Sequence, residues 1–211
     1  MRRQRISVVV FGEGITEKYY FESLRDILPI KPVAKIPKHT TILYIEKTIN
    51  QLINDGYDII YCLIDMDNKI NDGTPGRKKI CEEYDKLKRK YHNKKVRRKE
   101  GESKIIMIES YPSTELFFLY YFGYRGAEFS NTQLKSILHD KTGYKVEEHF
   151  FIKNALHSLF VKKGGSIDIA IEASNRSVLN REMHNPHSSY TEIGKLIEEL
   201  GYKKGKGNVK M

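Results

Sequence analysis

The chain has 211 residues, 39% hydrophobic and 11% aromatic, which is enough apolar material to bury a core. Its formal net charge of +10 and pI near 9.4 point to a polyanionic partner. Two cysteines, Cys62 and Cys81, give neither a disulfide framework nor C-x-x-C metal spacing, and no apolar run approaches the roughly 18 residues that span a bilayer. With Arg2-Arg3-Gln4-Arg5 leading directly into a strand, the expectation is a soluble, cytoplasmic chain of a reducing compartment with no membrane partner.

Residues 6–11 are a β-branched run that ends at Gly12-Glu13-Gly14, where two glycines permit a tight turn around one carboxylate. Thr16 is the expected N-cap of a helix over 17–28, stopped by Pro29. Glu13 is thereby placed at the carboxyl end of a strand and beside a helix N-terminus. A short second strand is expected at 33–36, and apolar spacing predicts a helix over 41–55 that Gly56 ends.

From Ile59 a mostly β-favouring apolar run stops abruptly in Asp65-Met66-Asp67, as a buried parallel strand does when it ends at a site. In extended chain, side chains at i and i+2 face the same side, so the two carboxylates converge if strand geometry persists. Carboxylates that close repel unless a cation lies between them, which makes Mg²⁺, or Mn²⁺, the expected cofactor. The alternative is that Asp65 and Asp67 only begin a solvated loop.

A helix starting at Thr74-Pro75 opens a basic stretch containing Arg77, Lys78, Lys79, Lys86, Lys88, Arg89, Lys90, Lys94, Lys95, Arg97, Arg98 and Lys99. Over 77–99 these twelve cations face three acidic residues, so the segment supplies +9 of the chain's +10. They are candidate contacts to the phosphates of a nucleic acid, the plainer reading being a solvated helix face and loop. Residues 104–108 are the fourth predicted strand, leading into an aromatic-rich helix expected to be buried. Glu115, near its start, is either a capping group or a member of the metal site.

After Gly123 the pattern changes to helices alone, at about 132–139, 151–163, 167–181 and 190–200. The expected architecture is α/β, with a mainly parallel four-stranded sheet flanked by helices over residues 1–127, a helical C-terminal subdomain over 128–200, and a basic mobile tail at 201–211. His184 and His187 flank Pro186, which forbids a helical zinc motif, and they are expected in a loop. The remaining histidines are assigned to no metal.

These residues resemble the Toprim fold of topoisomerases, primases and related nucleases, where a glutamate in a turn after the first strand and a D-x-D after a later one bind metal. Glu13 and Asp65/Asp67 match those positions. More narrowly, the chain resembles the RloB-like (AbiLii) family of bacterial phage-defence proteins. That family's E-G-x-T-E-x-x-Y-F pattern is matched by Glu13-Gly14-Ile15-Thr16-Glu17-Lys18-Tyr19-Tyr20-Phe21. Its proline-containing segment leading into F-E-x-W-x-L-L-H corresponds to residues 112–121, with Thr114, Phe117 and Tyr121 replacing Phe, Trp and His. A looser N-P-S-T-x-V-H-x-L pattern corresponds to 185–196, with extra residues.

The resemblance implies a Toprim-like Rossmannoid fold and a metal-dependent nuclease-like component that works beside an ATPase of the ABC/overcoming-lysogenization-defect (OLD) type. On that reading Asp65 and Asp67 hold Mg²⁺, and Glu13 completes the metal site or acts as general acid or base. Glu17 supports the site from behind or anchors a second ion, and Glu115 braces the site. The sequence leaves DNA and RNA equally open. A second reading is a non-catalytic protein that binds nucleic acid or the ATPase and carries a vestigial acidic site. A third, a haloacid-dehalogenase-like phosphatase, would want Thr where Ile70 stands, and it leaves Glu13 unexplained.

Overall fold

The computed structural model describes residues 6–71, 73–125, 128–183 and 188–205. The chain runs β1 (Val8–Phe11), α1 (Ile15–Ser23), β2 (Val33–Lys35), α2 (Ile42–Asn54), β3 (Ile59–Asp65), α3 (Arg77–Tyr91), β4 (Lys94–Arg98), β5 (Gly101–Tyr111), α4 (Glu115–Tyr120), α5 (Asn131–Thr142), α6 (Glu148–Lys153), α7 (Leu156–Lys162), α8 (Ile167–Met183), β6 (Tyr190–Thr191) and α9 (Ile193–Glu199). Four strands, in the order β2-β1-β3-β5, are parallel. They are the four expected from the sequence. Two antiparallel strands join them on the far edge of β5: β4 pairs with its first half and β6 with its last two residues.

The central strands read as continuous apolar runs because both sheet faces are covered. In β3, Tyr61 and Leu63 enter one apolar cluster while Ile60, Cys62 and Ile64 enter the other. β1 divides likewise, Val8 and Val10 to the first cluster and Val9 and Phe11 to the second. The second cluster is closed by α2 and α3, through Ile45, Ile49, Leu52, Tyr84 and Leu87. On the opposite face α1 and α4 pack with residues of α5 through α9, so the C-terminal helices share one core with the sheet. As expected, α4 is buried on all sides.

Several boundaries differ from the expectation, each for a local reason. Helix α1 begins at Ile15, because Glu17 Oε2 accepts from Gly14 N at 3.0 Å and caps the first turn. Thr16, the expected cap, is buried, with its hydroxyl 3.3 Å from that of Tyr144. The predicted helix at 151–163 is two helices, broken where Asn154 turns to extended geometry. Tyr190 and Thr191 do not start the last helix but pair with Tyr111 and Ser110. The basic stretch after α3 is neither helix nor loop but edge strand β4.

Among residues 201–205, placed in a mobile tail by sequence, Tyr202 is buried and donates from its hydroxyl to Asp168 at 2.9 Å. The rest of that tail, like His184 and His187, lies outside the described residues. Among the described residues no helix is long and apolar enough to cross a membrane.

Candidate functional site

In an open, mainly parallel α/β sheet, ligands bind beyond the carboxyl ends of the strands. Here β1 and β3 are neighbours, so Glu13, two residues past β1, arrives beside Asp65, the last residue of β3. Glu13 Oε1 accepts from the Asp65 backbone N–H at 3.2 Å. The same oxygen accepts from Lys69 Nζ at 2.8 Å, and Lys69 also donates to the Asp65 carbonyl at 2.7 Å. Lys69 is 3% exposed and Glu13 15%, so this is a buried ion pair at the strand ends.

Asp65 faces the side of the sheet covered by α1 and α4. Its Oδ1 accepts from the Thr114 N–H at 2.9 Å and the Thr114 hydroxyl at 3.2 Å. Both Glu17 on α1 and Glu115 on α4 are buried nearby. Glu115 accepts from the Ser113 hydroxyl at 2.8 Å and from the Tyr144 hydroxyl at 3.1 Å. Burial, followed by the charges of Glu17, Glu115 and Glu13, holds the Asp65 carboxyl far above the usual range. Burial and then the charge of Glu115 push Glu17 up to about 7. Burial also raises Glu13, although Lys69 opposes it. The site is thus a cluster of carboxylates that cannot all ionise on their own.

Asp67 is held separately. Strand geometry ends at Asp65, so the D-x-D alternation does not continue to Asp67. Its N–H donates to the Pro112 carbonyl at 3.1 Å, its Oδ2 accepts from Asn131 Nδ2 at 2.8 Å, and its carbonyl accepts from Arg77 Nη1 at 2.9 Å. Among the described residues no group of three or more His, Cys, Asp or Glu side chains is arranged to hold one metal ion. The donor chemistry nevertheless suits a hard, oxygen-seeking dication: Glu17 and Glu115 are buried and Glu13 and Asp65 partly buried, Lys69 is paired with Glu13 alone, and Asn131 Oδ1 is a buried oxygen with no hydrogen-bond partner among the described residues.

The basic candidates disperse. Arg77 alone is bonded at the acidic site. Lys88 and Arg98 turn inward, to Glu109 and Asp58, while Lys79, Lys90 and Lys95 face Glu83, Glu46 and Glu102. Lys78, Lys86, Arg89, Lys94, Arg97 and Lys99 make no ion pair among the described residues. Strand β4 pairs with residues 101–105, whereas Asp65 pairs with Ser110. At about 3.3 Å per residue, its near end is roughly 17 Å from the acidic end of the sheet. The twelve cations therefore do not gather as one group beside the acidic site.

Sequence reasoning missed Lys69, Asn131 and Glu109. Lys69 was readable as the lone cation in the turn after Asp67, and Asn131 as the residue after Ser130, whose hydroxyl caps α5 together with Gln133. Glu109, almost wholly buried on β5, has a weaker signal. Burial raises it, but the Lys88 charge and hydrogen bonds from Lys88, Tyr84 and Tyr190 outweigh burial and lower it overall.

Comparison with curated proteins and with solved structures gives no match. The profile of one family, described as RloB-like protein, matches residues 8–200. With every strand and helix from β1 to α9 inside the matched span, the chain belongs to the RloB-like protein family.

Proposed function

We propose that the chain is a metal-dependent, nuclease-like effector that hydrolyses phosphodiester bonds in nucleic acid. In this reading its α/β core is Toprim-like, and it serves a bacterial anti-phage system of the abortive-infection type with an ABC/OLD-type ATPase as partner. The observation that carries the reading is the meeting of Glu13 and Asp65 at adjacent parallel strand ends, with Glu17 and Glu115 buried in electrostatic contact. A dication would stabilise such a cluster.

Glu13, Asp65 and Asp67 would hold Mg²⁺ or Mn²⁺. When bound, the ion supplies positive charge to offset the negative charge that develops on the scissile phosphate. Glu13, already raised in pKa, is suited to hold or release a proton on Oε2, since Oε1 accepts from Lys69 and from the Asp65 N–H. Thr114 fixes the Asp65 carboxylate through two donors, which orients its remaining oxygen. Arg77, bonded to the Asp67 carbonyl, and Lys78, Lys86 and Arg89 of α3, which make no ion pair among the described residues, offer positive charge to a polyanion.

The test is cleavage of mixed RNA and DNA by wild type and Asp65→Ala, with Mg²⁺ or Mn²⁺ varied, alone and with the ATPase. Cleavage that disappears with the substitution and with chelator is expected. A specific observation favours the non-catalytic reading as second: the Lys69 ammonium already neutralises Glu13. That reading gains if no combination cleaves while salt-sensitive nucleic-acid binding is identical in Asp65→Ala.

A further inference from the structure

Where β2 ends, residues 35–38 run alongside α2 and enclose with it a groove of about 400 Å³. Helix α2 turns Ile45, Ile49, Leu52 and Ile53 to the core, which leaves a second stripe at helical spacing, Tyr44, Lys47, Thr48 and Gln51, as one wall of the groove. Ile36, 38% exposed, and the buried Pro37 and Leu52 give it an apolar lining. Every charged side chain along it is a lysine: Lys35, Lys38 and Lys47. By contrast, the cavity of about 810 Å³ at the opposite end of the sheet sets Asp55, Asp58, Glu100 and Glu102 against Arg98 and Lys99.

The three lysines are not equivalent. Lys35 Nζ donates to Asp55 Oδ2 at 3.2 Å, so its charge is already answered. Lys38 and Lys47 are exposed and make no ion pair among the described residues. Lys47 is held over the Tyr44 ring, Nζ 4.9 Å from the centroid, and the His39 ring meets the same tyrosine at 4.3 Å between centroids. Thr48 is spent on the Tyr44 carbonyl at 2.9 Å, whereas the Gln51 amide has no hydrogen bond among the described residues. Two ammoniums and an amide are left as free donors along one cleft, and a cleft lined by one sign of charge concentrates the field on a counter-ion.

The place of the groove relates it to the acidic cluster. Lys35 is in register with Phe11, about 4.8 Å away across one strand spacing, and Glu13 follows Phe11 by two residues. The groove therefore flanks the acidic end of the sheet on the β2 side, while Arg77 approaches from the side of Asp67.

We propose that this groove seats a single strand of nucleic acid, with Lys38 and Lys47 on its phosphates and the apolar lining against an unstacked base. The inference rests on the nuclease-like reading, to which it adds the path of the strand. A duplex offers the same phosphates but keeps its bases stacked inside, away from Ile36 and Tyr44, so the apolar lining selects a single strand.

The experiment is binding of a fluorescent single-stranded oligonucleotide, and of the duplex of the same sequence, to the full chain in chelator, where binding is read without cleavage. Lys38→Gln/Lys47→Gln is compared with Lys153→Gln/Lys162→Gln, which removes the same charge from exposed positions on α6 and α7, on the other face of the sheet. At about 0.7 per phosphate contact, two lost contacts should lower the single-strand salt slope by about 1.4, so that from about 50 to about 200 mM salt the groove variant loses about sevenfold less affinity than wild type. The control pair should keep the wild-type slope, and Ile36→Ser should weaken the single strand while leaving the duplex unchanged. All the substituted side chains are exposed, so each variant should melt with wild type.

Equal salt slopes for wild type and the groove variant would overturn the groove while nucleic-acid binding stands. Equal losses of single strand and duplex in the groove variant, with Ile36→Ser silent, would overturn the assignment to a single strand. If wild type binds neither form in a salt-sensitive way, the nuclease-like reading fails and this inference falls with it.

Discussion

Replacing Lys69 by methionine tests whether the acidic cluster depends on a cation. The Lys69 side chain is 3% exposed and its partner Glu13 15%, with Nζ 2.8 Å from Oε1, so the pair belongs with buried ion pairs rather than surface ones. Surface pairs contribute about 0–1 kcal/mol, whereas removing one member of a buried pair costs about 3–5 kcal/mol, because the other charge stays desolvated and alone. Methionine keeps most of the buried stem, so little packing is lost with the charge. Glu13 would then face Asp65, Glu17 and Glu115 with no opposing charge from the loop. We expect Lys69→Met to lose about 3–5 kcal/mol by urea unfolding in chelator at neutral pH. Glu13→Gln removes the stranded charge while keeping an acceptor for the Asp65 N–H, so the double variant should recover at least half of that loss. A single variant within about 1 kcal/mol of wild type, or an equal loss in the Glu13→Gln background, would refute the reasoning, since either shows that Lys69 does not neutralise Glu13.

Two further expectations concern the packing around the site. His157 lies in the core, Nδ1 3.0 Å from the Tyr121 hydroxyl, and burial pushes it down to about 4. The unfolded imidazole takes up its proton near 6.5 and the folded one only near 4, so stability is lost as pH falls through that window. Between pH 7 and 4.5 wild type should therefore lose about 3 kcal/mol more than His157→Phe, at about 1.4 kcal/mol per unit; coincident pH profiles would show that His157 is not held neutral. A Cβ on Gly12 would lie 2.4 Å from Cβ and Cγ of Glu17. Gly12→Ala should cost about 1–3 kcal/mol through displacement of Glu17. Gly14→Ala, whose nearest new contact is Glu17 Oε2 at 3.5 Å, is the control, and equal unfolding midpoints for the two variants would remove the steric argument.

What could be read in the sequence was what leaves a local signature. β1, β3 and β5 were legible because burial on both faces demands an unbroken apolar run, and Glu13 and Asp65 because a carboxylate that ends such a run stands out. β4 was illegible for the converse reason. As an edge strand it packs only Val96 against the core, so Lys94-Lys95-Val96-Arg97-Arg98 carries no apolar alternation, and its charges suit an edge that must not pair with another chain. β6, two residues long, is below what periodicity can resolve. Lys69 and Asn131 belong to the acidic site through tertiary contacts, one across 56 residues and one across 64, and neither residue type announces itself.

The basic stretch shows where composition misleads about position. Twelve cations in 23 residues establish a strong local charge, but charge has no direction until the fold assigns one. α3 starts at the acidic end of the sheet, where Arg77 bonds the Asp67 carbonyl, and runs back so that β4 lies beside the opposite half of β5. Two of the cations, Lys88 and Arg98, are turned inward on Glu109 and Asp58, where they compensate buried or half-buried carboxylates. A polyanion drawn to the remainder would lie along the outer surface of α3 and the β4 edge, reaching the acidic cluster only at its Arg77 end. Charge reversal at Lys78 and Lys86 should on this geometry weaken binding of nucleic acid and lower its salt dependence, whereas reversal at Arg98 should first cost stability through Asp58. Matching salt slopes for wild type and the α3 double reversal, measured on the same oligonucleotide, would place the polyanion elsewhere on the molecule.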